Sequence, residues 1–587
     1  MTNPNSIDPR QHIEQLLRAA LFNVAQDLLA ADQINSLVIN VERPNSAQHG
    51  DFASNLAMQL ARLLKRNPRE LAKTLADALP ESQWVERAEV AGAGFINVFL
   101  SRDAKYALVR AALRAAADFG RGKAGVGQRV LLEFVSANPT GPLHVGHGRG
   151  AAYGLSLKRL LQFAGYVVAS EYYINDAGRQ MDILALSTWL RYLEAGGQTI
   201  TFPSKAYQGD YVRDMAAQLR RLHAERFTRP LDADQSGGPD EASDAEGRLD
   251  HLIAAAKRLL GTDYSYVHQF ALAEQMDDCR RDLEEFGVRF DSWFSERSLY
   301  EAGLVQRALD TLETNGHLYT QDGALWFRAT AFGDEKDRVL RRENGEFTYF
   351  AADIAYHLNK FERGFDRLIN VWGADHHGYI PRVGGAITAL GRDVGAFRVA
   401  LVQLVNLFRA GTRVAMSTRQ AEYVTLRELR EEVGNDAARF FYVMRKIEQR
   451  LDFDLDLAKS QSTENPVYYV QMAHARVCSM LAQWGGDPAT LVEADLTPLI
   501  LPRELELMTS LQQFAEVAEI AARELAPHLM AQYLRDLAAL FHAYYNDERI
   551  LVDRAGLRTA RLALCQAVRH VLANGLSLLG VTSPDKM

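Results

Sequence analysis

The spacing of hydrophobic residues changes twice along this 587-residue chain, and the changes predict three domains. In residues 1–105, segments with an apolar residue at every third or fourth position alternate with short apolar runs, which predicts an α+β domain. The predicted helices are Ile13–Leu28, Phe52–Leu64 and Pro68–Leu79, and the predicted strands are Ser36–Val41, Glu86–Val90 and Phe95–Leu100.

Residues 106–455 alternate buried-strand runs with helical segments. The runs are Val130–Phe134, Val167–Tyr173, Arg367–Trp372 and Ala400–Val405. This alternation predicts a Rossmann-like domain, in which a parallel sheet carries helices on both faces, with insertions. One insertion contains Leu231–Asp250, which is acidic, rich in Gly and Ser and poor in large apolar residues. That composition predicts a solvated, mobile loop.

Strand signals disappear in residues 456–587, where only helical patterns remain. The predicted helices are Asn465–Trp484, Pro502–Arg523, Pro527–Asp547 and Asp553–Leu579. Their amphipathic spacing is typical of an all-α helical bundle. The sequence therefore predicts a multidomain α/β protein, with an N-terminal α+β domain, a parallel-sheet catalytic domain and a C-terminal bundle.

Composition narrows the cellular context. The chain is 48% hydrophobic and 24% charged, without the run of about 18 apolar residues that a membrane span requires. Its start lacks a signal peptide's apolar core, and its three cysteines form neither a metal-ligand spacing nor a disulfide framework. We therefore expect a cytoplasmic protein with no metal site of its own. A net charge of −8 allows nucleic-acid binding only through local basic surfaces.

The most informative segment joins a strand, a turn and a helix. A buried-strand run ends at Phe134, a turn-rich stretch follows, and His144 and His147 then stand three residues apart. Small residues surround them, and the leucines at 155, 157, 160 and 161 continue a helical pattern. Residues three apart share a helix face, and a helix start attracts phosphate. The segment predicts a nucleotide site, although incidental histidines in a structural turn remain the alternative.

His144-Val145-Gly146-His147 resembles the HIGH motif of class I aminoacyl-tRNA synthetases. The residues before it (Glu133 to Asn138) and after it (Tyr172 to Gly178) are similar to those of the arginyl-tRNA synthetase family, and the likeness covers nearly the whole chain. The resemblance implies ATP-dependent activation of L-arginine and its transfer to tRNA(Arg), releasing AMP and pyrophosphate. In that reaction His144 and His147 would stabilise the ATP phosphates, and Mg²⁺ would come with ATP, held mainly by phosphates and waters.

The second phosphate-binding element of class I enzymes, the KMSKS loop, is degenerate here. The matching residues are Ala415, Met416, Ser417, Thr418 and Arg419, so both lysines are missing. The resemblance assigns Ser417 and Arg419 to catalysis and Met416 to ATP, and the cationic role falls to Arg413 or Arg419. The lost lysines also leave open a non-catalytic relative that only binds RNA.

The resemblance also implies an arginine site and further ATP contacts. Tyr349 and Asp353 share a helix face, since they stand four residues apart. With Glu133 they would hold the guanidinium, while Asn138 and Ser136 would hold the other end of the amino acid. The implied ATP-binding residues are Pro142, His144, Gly146, His147, Gly373, Asp375, His376 and Met416. A metal cluster at Asp375-His376-His377 is the less favoured alternative, because neighbouring residues on a strand point to opposite faces.

The resemblance implies transfer RNA as the macromolecular partner and a monomeric protein. The N-terminal domain of the family contacts the outer corner of tRNA, which makes Lys65 and Arg66 candidate phosphate contacts. In the helical domain, the candidate RNA-binding residues are His474, Arg476, Tyr545 and Asn546, with helix packing as the alternative. A class I enzyme for another amino acid, such as cysteine, also remains open.

Overall fold

A computed structural model describes residues 8–44, 46–232, 234, 237–414 and 423–587. Within these residues the N-terminal region forms a four-stranded antiparallel sheet. Its strands, in spatial order, are Val41–Glu42, Phe52–Ser54, Phe95–Leu100 and Val85–Ala91. The helices of this region are Pro9–Ala25, Ala31–Ser36, Leu56–Ala61 and Pro68–Asp77.

Two sequence predictions in this region are wrong. Phe52–Ser54 is a strand, not the start of a helix, because it pairs with Ile96–Val98 and buries alternate side chains. The predicted strand Ser36–Val41 begins on the last residue of a helix, and only Val41 joins the sheet. Pairing with a distant strand overrides the local pattern in short segments of this kind.

Five parallel strands form the central sheet in the described part of the chain. In spatial order they are Phe397–Val402, Arg367–Gly373, Arg129–Glu133, Val167–Ile174 and Ser292–Ser295. The first strand in sequence is central, and the chain adds strands on one side of it before it crosses to the other. Ligands of parallel sheets bind at the carboxyl ends of the strands beside such a reversal.

The predicted strand Ala400–Val405 spans two sheets. Phe397–Val402 ends the central sheet, and Val405–Arg409 pairs instead with Thr412–Arg413 and Leu451–Asp454. Between them, the carbonyl of Gln403 accepts a hydrogen bond from the buried guanidinium of Arg149 at 2.9 Å. The continuous apolar run therefore gave no indication that the chain passes from one sheet to another between Val402 and Val405.

Insertions surround the sheet. One is helical, and another contains the antiparallel strands Leu318–Gln321, Ala324–Phe327 and Arg338–Arg341. In the described part of residues 116–460, the other α-helices include Val145–Phe163, Arg179–Ala195, Asp210–His223, Ala245–Leu260, Asp263–Glu285, Arg297–Glu301, Leu304–Thr314, Tyr349–Glu362, Ile380–Ala389, Leu426–Val433, Asn435–Val443 and Leu455–Lys459. The prediction of a loop over residues 231–250 is partly wrong, because Asp244 caps a helix that starts at Ala245.

The C-terminal helices are Pro466–Trp484, Pro502–Arg523, Pro527–Asp547 and Ala555–Leu578. The first three of these helices have proline in their first turn, and the fourth does not. Proline is tolerated in the first turn because the first N–H groups of a helix lack intrahelical acceptors. The helix Arg102–Ala115 packs against this bundle, and one hydrophobic core continues from Val145–Phe163 into it. Among the described helices, none has the length and hydrophobicity needed to cross a membrane.

Candidate active site

The central strand Arg129–Glu133 ends in a strained turn at the carboxyl edge of the sheet. Val135 and Ser136 have φ angles of 67° and 40°, a region that β-branched side chains such as valine rarely adopt. The Ser136 hydroxyl holds the turn, since it donates to Glu133 Oε1 at 3.1 Å and accepts from Tyr173 N at 3.1 Å. The sequence carries no signal for this turn, because valine does not favour it. Strain of this kind is often concentrated at functional sites.

His144 and His147 begin the next helix and cap it reciprocally. The Nδ1 atom of His144 accepts from the backbone N–H groups of Gly146 and His147 at 3.1 and 3.3 Å, while Nδ1 of His147 accepts from His144 N at 3.3 Å. The rings are stacked, with centroids 3.6 Å apart. Because both Nδ1 atoms are acceptors, each neutral ring carries its proton on Nε2.

Burial keeps both imidazoles neutral. It lowers the pKa of His144, and it lowers the pKa of His147 to about 3, with the neighbouring ring as a smaller contribution. The pair therefore offers two Nε2–H donors at neutral pH rather than two positive charges.

The glycines around this pair allow close packing. A Cβ atom on Gly146 would lie 2.9 Å from His144 Cε1, and one on Gly148 would lie 2.7 Å from Leu426 Cδ1. Glycine at 146 thus leaves room for the capping ring, and glycine at 148 lets a distant helix reach the histidine helix.

Met416, Ser417 and Arg419 lie outside the described residues, as do Ala415 and Thr418. The segment that follows them is tied to the histidines: Val145 N donates to Val424 O at 3.2 Å, and Leu426 N donates to Leu143 O at 2.7 Å. The chain therefore returns directly to the start of the histidine helix after residue 422.

Acidic side chains occupy the same edge of the sheet. Glu133 is buried, and its Oε2 atom lies 2.5 Å from Nζ of Lys360, which is fully buried. Lys360 also donates to Asn370 Oδ1 at 3.0 Å, and Asn370 is the cross-strand neighbour of Glu133. The sequence predicts Glu133 as a ligand residue but gives no signal for Lys360, which is 227 residues away in the chain.

Replacing Lys360 with methionine should lower the free energy of unfolding by about 3 kcal/mol, because it leaves the Glu133 carboxylate buried without a counter-ion. Guanidinium denaturation measures the loss. The double variant Lys360→Met/Glu133→Gln should recover most of it, since no unpaired charge remains. Equal destabilisation of the single and double variants would show that side-chain packing, and not charge, is responsible.

Asp353 lies on the helix Tyr349–Glu362 and accepts a hydrogen bond from the hydroxyl of Tyr379. Burial raises the pKa of Asp353 to about 6, and the charge of Glu133 acts in the same direction. Tyr349 is 67% exposed, and its hydroxyl would lie 3.2 Å from a Cβ on Gly178. The start of the helix Tyr349–Glu362 and the loop after the strand Val167–Ile174 therefore lie next to each other.

Glu296 is an acid that sequence reasoning missed. It is 2% exposed, and among the described residues no side chain forms a hydrogen bond or an ion pair with its carboxylate. Burial raises the pKa of Glu296 to about 7, with the charges of Asp353 and Asp176 as further causes. Asp176 itself is satisfied, because its carboxylate accepts from Ser295 Oγ at 2.5 Å and Arg297 N at 2.9 Å. Glu296 lies just after a strand, which is the positional signal that could have identified it.

The remaining predicted ligand residues line the surrounding surface. Asn138 is exposed and accepts from Asn175 Nδ2 at 2.6 Å. Gly373 ends its strand, and the side chains of Asp375 and His376 follow in a 3₁₀ helix, 82% and 58% exposed and 3.7 Å apart. Asp375, His376 and His377 are therefore on a helical turn rather than on a strand.

The candidate RNA contacts fall on two surfaces. Lys65 and Arg66 are exposed at the end of a helical turn. In the bundle, Tyr545 and Asn546 are exposed, and the guanidinium of Arg476 lies 5.0 Å from the Tyr545 ring centroid. His474 differs, because it is 3% exposed and its Nδ1 atom bonds the Pro584 carbonyl at 3.0 Å. The structure gives His474 a packing role.

One cluster in the described part of the chain has metal-ligand geometry. Atoms of His474, Cys478 and Asp585 lie within 4.8 Å of one another. However, Nη1 of Arg569 lies 3.8 Å from the Cys478 sulfur, and this positive charge opposes a bound cation. The cluster is also in the bundle, away from the histidine pair.

Comparison with known proteins gives consistent matches. Residues 11–100 match the arginyl tRNA synthetase N-terminal domain, residues 109–205 and 260–484 match the catalytic domain of class I (R) tRNA synthetases, and residues 470–587 match the DALR anticodon binding domain. An arginine–tRNA ligase of Dechloromonas aromatica is 60% identical over 99% of this chain and all of its own length. One of Aromatoleum aromaticum is 61% identical with the same coverage. The structure of Thermus thermophilus arginyl-tRNA synthetase has a TM-score of 0.73 at 27% identity, over 98% of this chain and all of that one.

Proposed function

The chain belongs to the arginyl-tRNA synthetase family, and we propose that its paired histidines and buried acids carry out the reaction of that family. It uses ATP to activate arginine and joins the amino acid to tRNA.

The histidine pair acts on ATP. Activation joins the arginine carboxylate to the α-phosphorus and expels pyrophosphate, so the protein has to align reactants and stabilise phosphate charge. The Nε2–H groups of His144 and His147 are donors held in place by the helix cap. Donors that are fixed before the reaction stabilise developing charge without reorganisation. The terminal hydroxyl of tRNA then attacks the anhydride, and AMP leaves.

The nucleotide site extends beyond the histidines. We assign its other contacts to Pro142, Gly146, Gly373, Asp375 and His376, which surround the carboxyl ends of the two central strands. Met416, Ser417 and Arg419 stay predictions from the sequence. Mg²⁺ would accompany ATP, and phosphate oxygens and waters, the ligands that it prefers, would hold it.

The acids select arginine. Guanidinium is a flat fork of five donors, which two carboxylates can bind from different sides. We assign this end to Asp353, Tyr349 and Glu133, and we add Glu296. Ser136 and Asn138 hold the α-amino and carboxylate end. Lys360 neutralises part of the Glu133 charge, so Asp353 and Glu296 supply most of the attraction.

This pocket gives a pH prediction. Asp353 and Glu296 have pKa values of about 6 and 7 without arginine, because burial favours their protonated forms. Below these values the acids are neutral and no longer attract the guanidinium. The KM for arginine should therefore rise as pH falls from about 8 to about 5, approaching tenfold per pH unit for each acid that becomes protonated.

Pyrophosphate exchange at a series of pH values measures this effect. The KM for ATP is the internal control and should stay nearly constant, since His147 has a pKa of about 3. Parallel changes in both KM values would contradict the assignment of the pH dependence to the arginine pocket.

Transfer RNA contacts two separated surfaces in this proposal. Lys65 and Arg66 bind phosphates, while Arg476, Tyr545 and Asn546 meet single-stranded bases, for which aromatic and guanidinium planes are suitable partners. His474 supports them by fixing the C-terminal tail. We further propose a monomer in the cytoplasm, where the free thiols of Cys279, Cys478 and Cys565 remain reduced.

Two observations support the assignment: the Nε2–H donors of the histidine pair are fixed by the helix cap, and the carboxylate of Glu296 is buried without a hydrogen-bond partner in the described residues. Arginine-dependent pyrophosphate exchange and tRNA charging test it, with tRNA present and a panel of amino acids. We expect activity with arginine alone. Exchange with cysteine would identify another class I specificity, and tRNA retention without charging would identify an RNA-binding relative.

A further inference from the structure

The segment 206–259 lies between the two stretches that match the class I catalytic domain. It contains the helix Asp210–His223 and most of Ala245–Leu260. Although it falls outside the matched stretches, it reaches the loop that precedes the histidine pair.

Tyrosine hydroxyls from different parts of the chain hold this loop. Tyr211 donates to the carbonyl of Thr140 at 2.5 Å, and Tyr423 donates to the carbonyl of Pro142 at 3.4 Å. Gly141 lies between them. A Cβ atom there would be 3.1 Å from the Tyr423 hydroxyl and 3.4 Å from the Tyr211 hydroxyl. Tyrosine hydroxyls therefore bind the loop carbonyls on both sides of Gly141, which has no side chain.

Tyr211 is firmly anchored, so it can fix the loop. Its ring packs in a cluster formed by the apolar residues Leu184, Val212, Met215 and Ala271, together with Tyr207 and Phe270. Burial raises the pKa of Tyr211, which keeps its hydroxyl protonated and able to donate.

Tyr423 extends the contact to the histidines. Its ring meets His144 edge-on, with ring centroids 5.8 Å apart. The backbone of the next residue, Val424, bonds Val145 at the start of the histidine helix. The loop that Tyr211 holds is thus connected through Tyr423 to His144, one of the two proposed hydrogen-bond donors to the ATP phosphates.

We infer that Tyr211 is a positioning residue for ATP, through which the segment 206–259 fixes the Thr140–Pro142 loop and the orientation of His144. The inference rests on the proposed role of the histidine pair in phosphate binding. Tyr211 is not proposed to contact ATP or arginine directly. It acts through the loop carbonyl.

Tyr211→Phe removes the hydroxyl and keeps the ring. In arginine-dependent pyrophosphate exchange with tRNA present, we expect the KM for ATP to rise about 3- to 10-fold, the range for loss of one hydrogen bond. The KM for arginine, kcat and the melting temperature should stay near those of the wild type. Tyr266→Phe is the matched control, because its hydroxyl contacts His223 of the segment 206–259 and not the Thr140–Pro142 loop, and it should change none of these values.

Gly141→Ala provides a second test. Its methyl group approaches both hydroxyls, so it should also raise the KM for ATP. In the Tyr211→Phe/Tyr423→Phe background the space is open, and the same substitution should then cost less than about twofold. Such rescue is not expected from a residue that only stabilises the fold.

Several results would overturn the inference. They are an unchanged KM for ATP in Tyr211→Phe, an equal rise in the KM for arginine, or the same cost of Gly141→Ala in both backgrounds. If the wild type lacks arginine-dependent exchange, the proposed function fails and the inference with it. If the wild type is active and only these shifts are absent, the inference alone fails.

Discussion

His147→Ala should reduce the rate of arginine activation by about 100- to 1000-fold, the cost of losing one fixed donor to a developing negative charge. The substitution removes the Nε2–H group of His147 and its stacking on His144. Pyrophosphate exchange measures the rate, and filter binding measures tRNA affinity in parallel. Affinity for tRNA should stay near that of the wild type, because His147 lies in the first turn of the helix Val145–Phe163 and is not one of the proposed RNA contacts.

The helix cap requires a separate control, since His147 also accepts the N–H of His144. Glutamine at the third helical position can make the same reciprocal cap. His147→Gln should therefore restore the melting temperature while activity stays well below that of the wild type. Full recovery of activity would show that His147 acts through the cap alone, and equal losses of activity and tRNA affinity would contradict its role at ATP.

Asp353→Asn should raise the KM for arginine by about 100-fold or more, as expected when one partner of a buried charge pair is removed. Asparagine keeps the size of the side chain and an oxygen for the Tyr379 hydroxyl, so the effect reports charge. Discrimination between arginine and its neutral isostere citrulline should fall by a similar factor. The KM for ATP should not change.

Asp337→Asn is the matched control for Asp353. Its carboxylate also accepts from a tyrosine hydroxyl, that of Tyr319 at 3.1 Å, but it lies beside the three-stranded sheet Leu318–Arg341. It should leave both KM values near those of the wild type. If Asp353→Asn binds arginine normally, or if the control loses it equally, charge at position 353 does not select the substrate.

The large elements of the fold could be predicted because their hydrophobic patterns are long. The helix over 502–523 was predicted with the bounds that the structure has, and the strand at 167 ends within one residue of the prediction. Short segments failed where distant pairing decides the structure. Phe52 fits both a helical and a strand pattern, and only its pairing with Val98 makes it a strand.

The site could be predicted in part. The histidine pair follows from local spacing, since a helix places residues three apart on one face. Lys360 could not be predicted as the partner of Glu133 from local spacing, because the two side chains meet only after the strands and the helix Tyr349–Glu362 assemble. Glu296 has one positional signal, which is an acid directly after the strand Ser292–Ser295. The turn at Val135 is also invisible in the sequence, because a valine in this conformation is held there by its surroundings.

The most direct test is a crystal structure of the protein with L-arginine and a non-hydrolysable ATP analogue. We predict phosphate oxygens within about 3.2 Å of Nε2 of His144 and His147, the distance of a hydrogen bond. The carboxylates of Asp353 and Glu296 should face the guanidinium. A guanidinium bound elsewhere, with both carboxylates turned away from it, would contradict the account.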